Sequence, residues 1–196
     1  MIELKYISKN YFSSKKIEEL KNINFIFKPG KIYSLIGPSG SGKSTLLNII
    51  SLIDKPSSGF LKLNNIKINE NNIDQRDMIR SEKIGIIYQD KNLLSDFTTL
   101  ENVYIARLSL SNDKKKAISD AKNLIKKVGL DKRLSHFPSE LSGGESQRVA
   151  ISRALINSPE IILADEPTGN LDHKNAKDIF KLLFSLKNPK RIIIFA

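Results

Sequence analysis

The run Gly37-Pro38-Ser39-Gly40-Ser41-Gly42-Lys43-Ser44-Thr45 limits this chain to few folds. It fits the pattern G-x-x-x-x-G-K followed by Ser or Thr, which needs a strand before it and a helix after it. A chance match in a chain this long is about one in a hundred. The glycines let backbone N–H groups turn inward around an anion. The helix that starts near Lys43 aims its positive dipole end at the same place. Lys43 supplies a mobile charge for β- and γ-phosphates, and the Ser44 hydroxyl suits a magnesium ion.

The flanking pattern supplies both elements. Lys31–Ile36 reads as a buried strand, and Lys43–Ile53 as a helix. Short β-branched runs place further strands at residues 2–8 and 20–27, and a hairpin at Phe60–Leu63 and Ile66–Ile68. Ile84–Tyr88, Ile161–Ala164 and Arg191–Phe195 are unalternating apolar runs, the mark of strands buried on both faces. From Asp90 to Ser158 the period turns helical. Ala117, Ile118, Ala121, Leu124, Ile125 and Val128 share one helical face, and Gly129 closes that helix. Ala176, Ile179, Phe180, Leu183 and Leu186 form another stripe. The expected architecture is an α/β nucleotide-binding core interrupted by helices.

Two further segments carry chemistry. The strand Ile161–Ala164 runs into Asp165 and Glu166. In an open α/β sheet, ligands bind beyond the carboxyl ends of the strands. Asp165 is then expected near the magnesium, and Glu166 is placed to polarise a water for attack on a γ-phosphate. Leu141-Ser142-Gly143-Gly144-Glu145 opens a helix over Glu145–Ile156, with Ser142 as its N-cap. Its free N–H groups are a second anion site, which would serve the nucleotide of a partner chain.

Composition removes other classes. The absence of cysteine excludes a disulfide scaffold and any thiolate metal site. The longest apolar stretch falls short of the roughly 20 residues that span a bilayer. The net charge of +11 invites a nucleic-acid reading. Residues 1–98 hold 15 basic and 10 acidic side chains, and residues 99–196 hold 17 and 11, so the charge is spread rather than gathered. No nucleic-acid partner is expected.

Together the glycine loop, the Leu-Ser-Gly-Gly-Glu run and the acidic strand resemble the ATP-binding cassette (ABC) family, over nearly the whole of residues 2–196. The resemblance implies one ABC ATPase domain: an α/β P-loop core with an antiparallel β subdomain (about 1–89 and 159–196) and a helical subdomain (about 90–158). It implies ATP and Mg2+, and a homodimer closed head to tail by ATP. The nucleotide would lie between one chain's Gly37–Thr45 loop and the other's Ser142, Gly143 and Gly144. It further implies that Tyr11 stacks on adenine, that Gln89 touches the magnesium and senses a membrane partner, and that Asp172 in Gly169-Asn170-Leu171-Asp172 contacts the other protomer. Gln147 reads as an exposed residue on the signature helix.

Within the family, Ile87-Tyr88-Gln89 followed by Asn92-Leu93-Leu94-Ser95-Asp96-Phe97-Thr98-Thr99-Leu100-Glu101-Asn102-Val103, and Leu163–Asp172, are most similar to the ATPases that drive lipoprotein release from the inner membrane of Gram-negative bacteria, above all through Leu93-Leu94 and Asp96-Phe97-Thr98. ATPases of macrolide export and cell division share the Thr-Gly-Asn-Leu-Asp portion. The branch implies a peripheral subunit on the cytoplasmic face of the inner membrane, working with integral membrane subunits of an exporter through a groove near Gln89–Leu100. The family also has a histidine just after the strand at Arg191–Phe195, where this sequence ends at Ala196. A chain shortened at its C-terminus is expected from that, with MgATP binding but slow turnover.

Overall fold

A computed structural model describes residues 1–12 and 16–196. These residues form two four-stranded sheets. The parallel sheet runs in the order β3 (Ile32–Ser34), β8 (Ile192–Phe195), β7 (Ile161–Ala164), β6 (Ile84–Ile87). Its register pairs Ile84 with Ile161 and Ile161 with Ile192. Every residue of β7 and β8 is buried, which is why neither strand alternates in sequence.

Alternate side chains of these strands enter different cores. Ile161, Leu163, Ile192 and Ile194 pack on one face. That face is covered by α1 (Lys43–Ile50) and by an antiparallel sheet of order β2 (Lys16–Phe27), β1 (Ile2–Phe12), β4 (Ser58–Leu63), β5 (Ile66–Lys67). Ile162, Ala164, Ile193 and Phe195 face α5 (Gly143–Leu155) and α6 (His173–Ser185), meeting Ile151, Ile179 and Leu183. A third core gathers Val103 of α3 (Thr99–Leu108), Ala121 and Ile125 of α4 (Lys114–Lys127), and Val149 of α5. Helix α5 therefore joins two cores. Each fully buried isoleucine contributes about 1.5–3 kcal/mol of transfer free energy.

Several bounds differ from the expectation. Strand β3 has three residues rather than six, because the chain leaves the sheet early to form the loop. Helix α1 stops at Ile50 rather than Ile53. Leu52 there takes a left-handed φ of 63°, and its carbonyl accepts from Arg76 at 2.6 Å and Arg80 at 3.3 Å. Both arginines lie on α2 (Ile73–Lys83), a helix the apolar pattern did not reveal because its only buried side chain is Arg76. Glycine does close α4, since Gly129 has φ +76° just past its end.

Candidate functional site

All four parallel strands point their carboxyl ends to one edge. Strand β3 feeds the loop Gly37–Gly42, β6 feeds Gln89, β7 feeds Asp165 and Glu166, and β8 ends beside them. Residues far apart in sequence are thus brought together by register alone.

The glycine loop leads directly into α1. Gly42 caps the helix at φ +83° and gives its free N–H groups no side-chain partner. A Cβ on Gly42 would lie 2.7 Å from Leu20 Cδ2 and 2.9 Å from the Glu19 carbonyl oxygen, so space as well as backbone angle demands glycine there. Lys43 Nζ donates to the carbonyls of Gly37 (3.0 Å) and Pro38 (2.9 Å), which holds the ammonium across the loop. Pro38, Ser39, Gly40, Ser41 and Ser44 are exposed along the same rim. Thr45 differs: it is buried, and its hydroxyl donates to Glu19 Oε1 at 2.8 Å. Its side chain anchors α1 to β2 and leaves only its backbone for an anion.

At the end of β7 the Asp165 N–H donates to the Ile87 carbonyl at 2.9 Å, extending the ladder to the first carboxylate. Glu166 then takes a left-handed φ of 41°. Such a conformation costs a carboxylate residue of order 1 kcal/mol or more and is kept where the surroundings impose it. Its N–H donates to the Ala196 carbonyl at 3.2 Å, and its own carbonyl accepts from Gly169 at 3.0 Å. A Cβ on Gly169 would sit 2.8 Å from Gln89 Nε2 and 3.3 Å from Glu166 Oε2. The two side chains therefore converge on one small space that only glycine leaves open. Asn170 Nδ2 also reaches Asp90 Oδ1 at 3.4 Å, tying the two loops together.

The helix start at Ser142, the second candidate anion site, is built by a capping box. Ser142 Oγ accepts from the Glu145 N–H at 3.2 Å, and Glu145 Oε2 accepts from the Ser142 N–H at 2.8 Å. Arg133 Nε donates to the other Glu145 oxygen at 2.9 Å. The Ser142 N–H first, then Arg133, hold the Glu145 carboxyl down to about 2. Gly143 lies against Leu171, and a Cβ on Gly144 would strike the Asn175 side chain. Asp172 caps α6, accepting from the backbone of Lys174 and Asn175 (both 3.0 Å) and from Asn175 Nδ2 (2.6 Å). These contacts keep its carboxyl below the ordinary range. The carboxylate of Asp172 thus holds the first turn of α6.

Tyr11 lies alongside α1, near Thr45 of the glycine-loop motif and its partner Glu19. Its hydroxyl donates to Asp54 Oδ2 at 2.9 Å, and Lys9 Nζ lies 4.9 Å over its ring. The residue is 40% exposed. Gln147 corrects the sequence reading: it is fully buried, with Nε2 3.5 Å from the Tyr88 carbonyl and Oε1 unpartnered. Two residues not singled out as site residues also shape the site. Buried Asn102 ties down the loop before α3, accepting from the Leu94 N–H (2.8 Å) and donating to the carbonyls of Leu94, Phe97 and Thr98. Arg153 holds the backbone of Lys91 and Asn92. A polar residue on an otherwise apolar helical face was the only available sign of either.

This geometry offers a glycine loop at a helix N-terminus, an ammonium held across that loop, and a carboxylate with a left-handed backbone near an amide. Comparison with known proteins gives the family. The family model described as ABC transporter matches residues 20–169. The lipoprotein-releasing system ATP-binding protein LolD of Rickettsia felis is 48% identical over 192 residues, covering 97% of this chain and 85% of the relative. Its namesake from Cytophaga hutchinsonii is 43% identical over 171 residues, covering 87% and 78%. Among solved structures, a dimeric ATP-binding cassette in a post-hydrolysis state bound to ADP and Pi superposes with a TM-score of 0.91. It is 40% identical, and the match covers 100% of this chain and 88% of that one.

Proposed function

The chain belongs to the ABC transporter family, and from that premise we propose that its ATPase activity drives release of lipoproteins from a membrane, with the residues of the shared sheet edge doing the chemistry. The observation that carries the reading is the convergence of Glu166 and Gln89 at Gly169, on the edge that also bears the Lys43 loop.

In this reading the free N–H groups of α1 and the Lys43 ammonium hold the β- and γ-phosphates of ATP. Glu166 accepts a proton from the attacking water, and the Gln89 amide fixes that water in line. Both groups are set before substrate arrives, so little reorganisation is needed at the transition state. A magnesium ion is part of the proposal. Ser44, Asp165 and the Gln89 amide oxygen form a hard oxygen donor set. Among the described residues no group of three or more His, Cys, Asp or Glu gathers to cage a metal, which fits an ion that arrives on the nucleotide and keeps its waters. When bound, it would neutralise charge on the phosphate oxygens.

We further propose that two chains pair head to tail when ATP binds. The exposed Ser142 and Gly143 at the start of α5 then face the nucleotide held by the partner's loop, and Tyr11 offers a ring to adenine. Asp172, at the start of α6, would meet the partner together with the loop from Gly169 to Leu171. Among the described residues no helix is long and apolar enough to cross a membrane. That supports a peripheral subunit, which we place on the cytoplasmic face of the inner membrane, joined to integral membrane subunits.

The test is reconstitution. The chain is combined in vesicles with the membrane subunits of a lipoprotein-releasing system, and in parallel with those of a macrolide-export or cell-division complex. Stimulated hydrolysis and lipoprotein release only in the first set is the expected result. Stimulation only by another set would redirect the cargo assignment.

A further inference from the structure

Behind Gln89 the chain makes a turn that Lys91 does not favour. Lys91 and Asn92 take left-handed φ angles in succession, 61° and 46°. Asparagine visits that region readily, but for lysine it costs roughly 1–2 kcal/mol. Within the turn the Lys91 N–H reaches the Tyr88 carbonyl at 3.3 Å, and the Asn92 N–H reaches the Asp90 carbonyl at 2.6 Å.

What holds the turn comes from α5. One guanidinium spans both left-handed residues. Arg153 Nη1 donates to the Asn92 carbonyl at 2.5 Å, and Nη2 donates to the Lys91 carbonyl at 2.6 Å. Among the described residues no carboxylate forms an ion pair with Arg153, so these carbonyls are what its charge meets. Six residues earlier on the same helix, the buried Gln147 amide points at the Tyr88 carbonyl. The helix itself cannot slide: Gly85 of β6 lies so close to the Ala154 carbonyl that a Cβ would collide with it. The turn bearing Gln89 is thus gripped from a helix pressed against the strand that precedes it.

From this geometry we infer that Arg153 is a positioning residue for Gln89: by bridging the carbonyls of Lys91 and Asn92 it keeps the turn in the strained form that delivers the Gln89 amide to Glu166. The inference rests on the proposed role of Gln89. A lysine at this position keeps the charge but offers one compact head, which does not reproduce a planar fork across two carbonyls.

A double-mutant cycle with Arg153→Lys, Gln89→Ala and the pair tests it, reading kcat, KM for MgATP, the Mg2+ needed for half-maximal rate, nucleotide affinity and melting temperature. Displacing the amide by about 1 Å is expected to lower kcat in Arg153→Lys by about 10- to 100-fold and raise the Mg2+ requirement, with ATP affinity little changed. In the Gln89→Ala background the same substitution should change kcat by no more than about twofold, the scatter of independent sites. If Arg153→Lys lowers kcat equally in both backgrounds, its role is structural and the inference fails, even though Gln89 matters. If Gln89→Ala alone turns over normally, the role of Gln89 fails first and takes the inference with it. Should Arg153→Lys not fold, Arg153→Gln, a neutral donor of similar length, enters the same cycle with the same expected outcomes.

Discussion

Replacing Gly169 by alanine separates catalysis from folding and binding. The new methyl group would lie 2.8 Å from Gln89 Nε2, where ordinary contact begins at 3.4 Å, so about 0.6 Å must be found. The backbone neither resists nor supplies it, because the nearest atoms are tips of the Gln89 and Glu166 side chains. Gly169 is exposed and has no left-handed φ, so alanine brings no backbone strain. It should even stabilise slightly, by about 0.4–1 kcal/mol, by restricting the unfolded chain. Relief therefore comes from swinging the Gln89 amide or the Glu166 carboxylate away from their meeting point. A misplacement near 1 Å at reacting groups costs about 100-fold. Steady-state phosphate release should fall by roughly that factor. ATP affinity by titration calorimetry and the melting temperature should stay at or above wild type. A Gly169→Ala variant with near-normal turnover would refute the reasoning, because the methyl group would then occupy space that catalysis does not use. Loss of activity together with a lower melting temperature would refute it too, by showing a folding defect.

Glu166→Gln should bind ATP and lose about 100-fold or more of its turnover, because an amide cannot take the water's proton; size-exclusion chromatography with ATP should then show an accumulated dimer. Lys43→Ala should weaken ATP binding by about ten- to a hundredfold, the loss of a charged hydrogen bond to phosphate; unchanged calorimetric affinity would remove Lys43 from the site. Glu145 has a depressed pKa, so its contribution to stability is complete above the ordinary carboxylate value of 4.5 and is lost as pH falls toward about 2. The stability gap between wild type and Glu145→Gln, followed by urea unfolding, should therefore close between those pH values, and a gap independent of pH would exclude the ion pair and cap as its source.

Much of the site could be read from residue type and spacing, because its demands are local. A loop that rings phosphate needs glycines at set offsets and a helix directly after, and Gly37–Thr45 states both within nine residues. The Ser142 cap and the stop after Gly129 are likewise contacts within one turn of chain. The buried strands Ile161–Ala164 and Ile192–Phe195 announced themselves because both of their faces are covered.

Other features were set by distant partners. Helix α2 escaped the pattern because the side chain it buries is an arginine, whose target is the Leu52 carbonyl 24 residues away. Gln147 reads from the sequence as an exposed residue on the signature helix, yet α5 packs on β6 and turns it inward to Tyr88. Thr45 belongs to the phosphate motif, but its hydroxyl is claimed by Glu19 on β2. By itself the sequence determined that a phosphate loop, an acidic strand end and a capped glycine helix would exist, since backbone angles and near-neighbour hydrogen bonds decide these. Only the tertiary structure decided that Gln89, Glu166 and Gly169 share one point and that Arg153 braces the turn behind them. Those placements depend on the register β6–β7–β8 and on one helix seated across it, and packing between remote segments leaves no periodic trace in either.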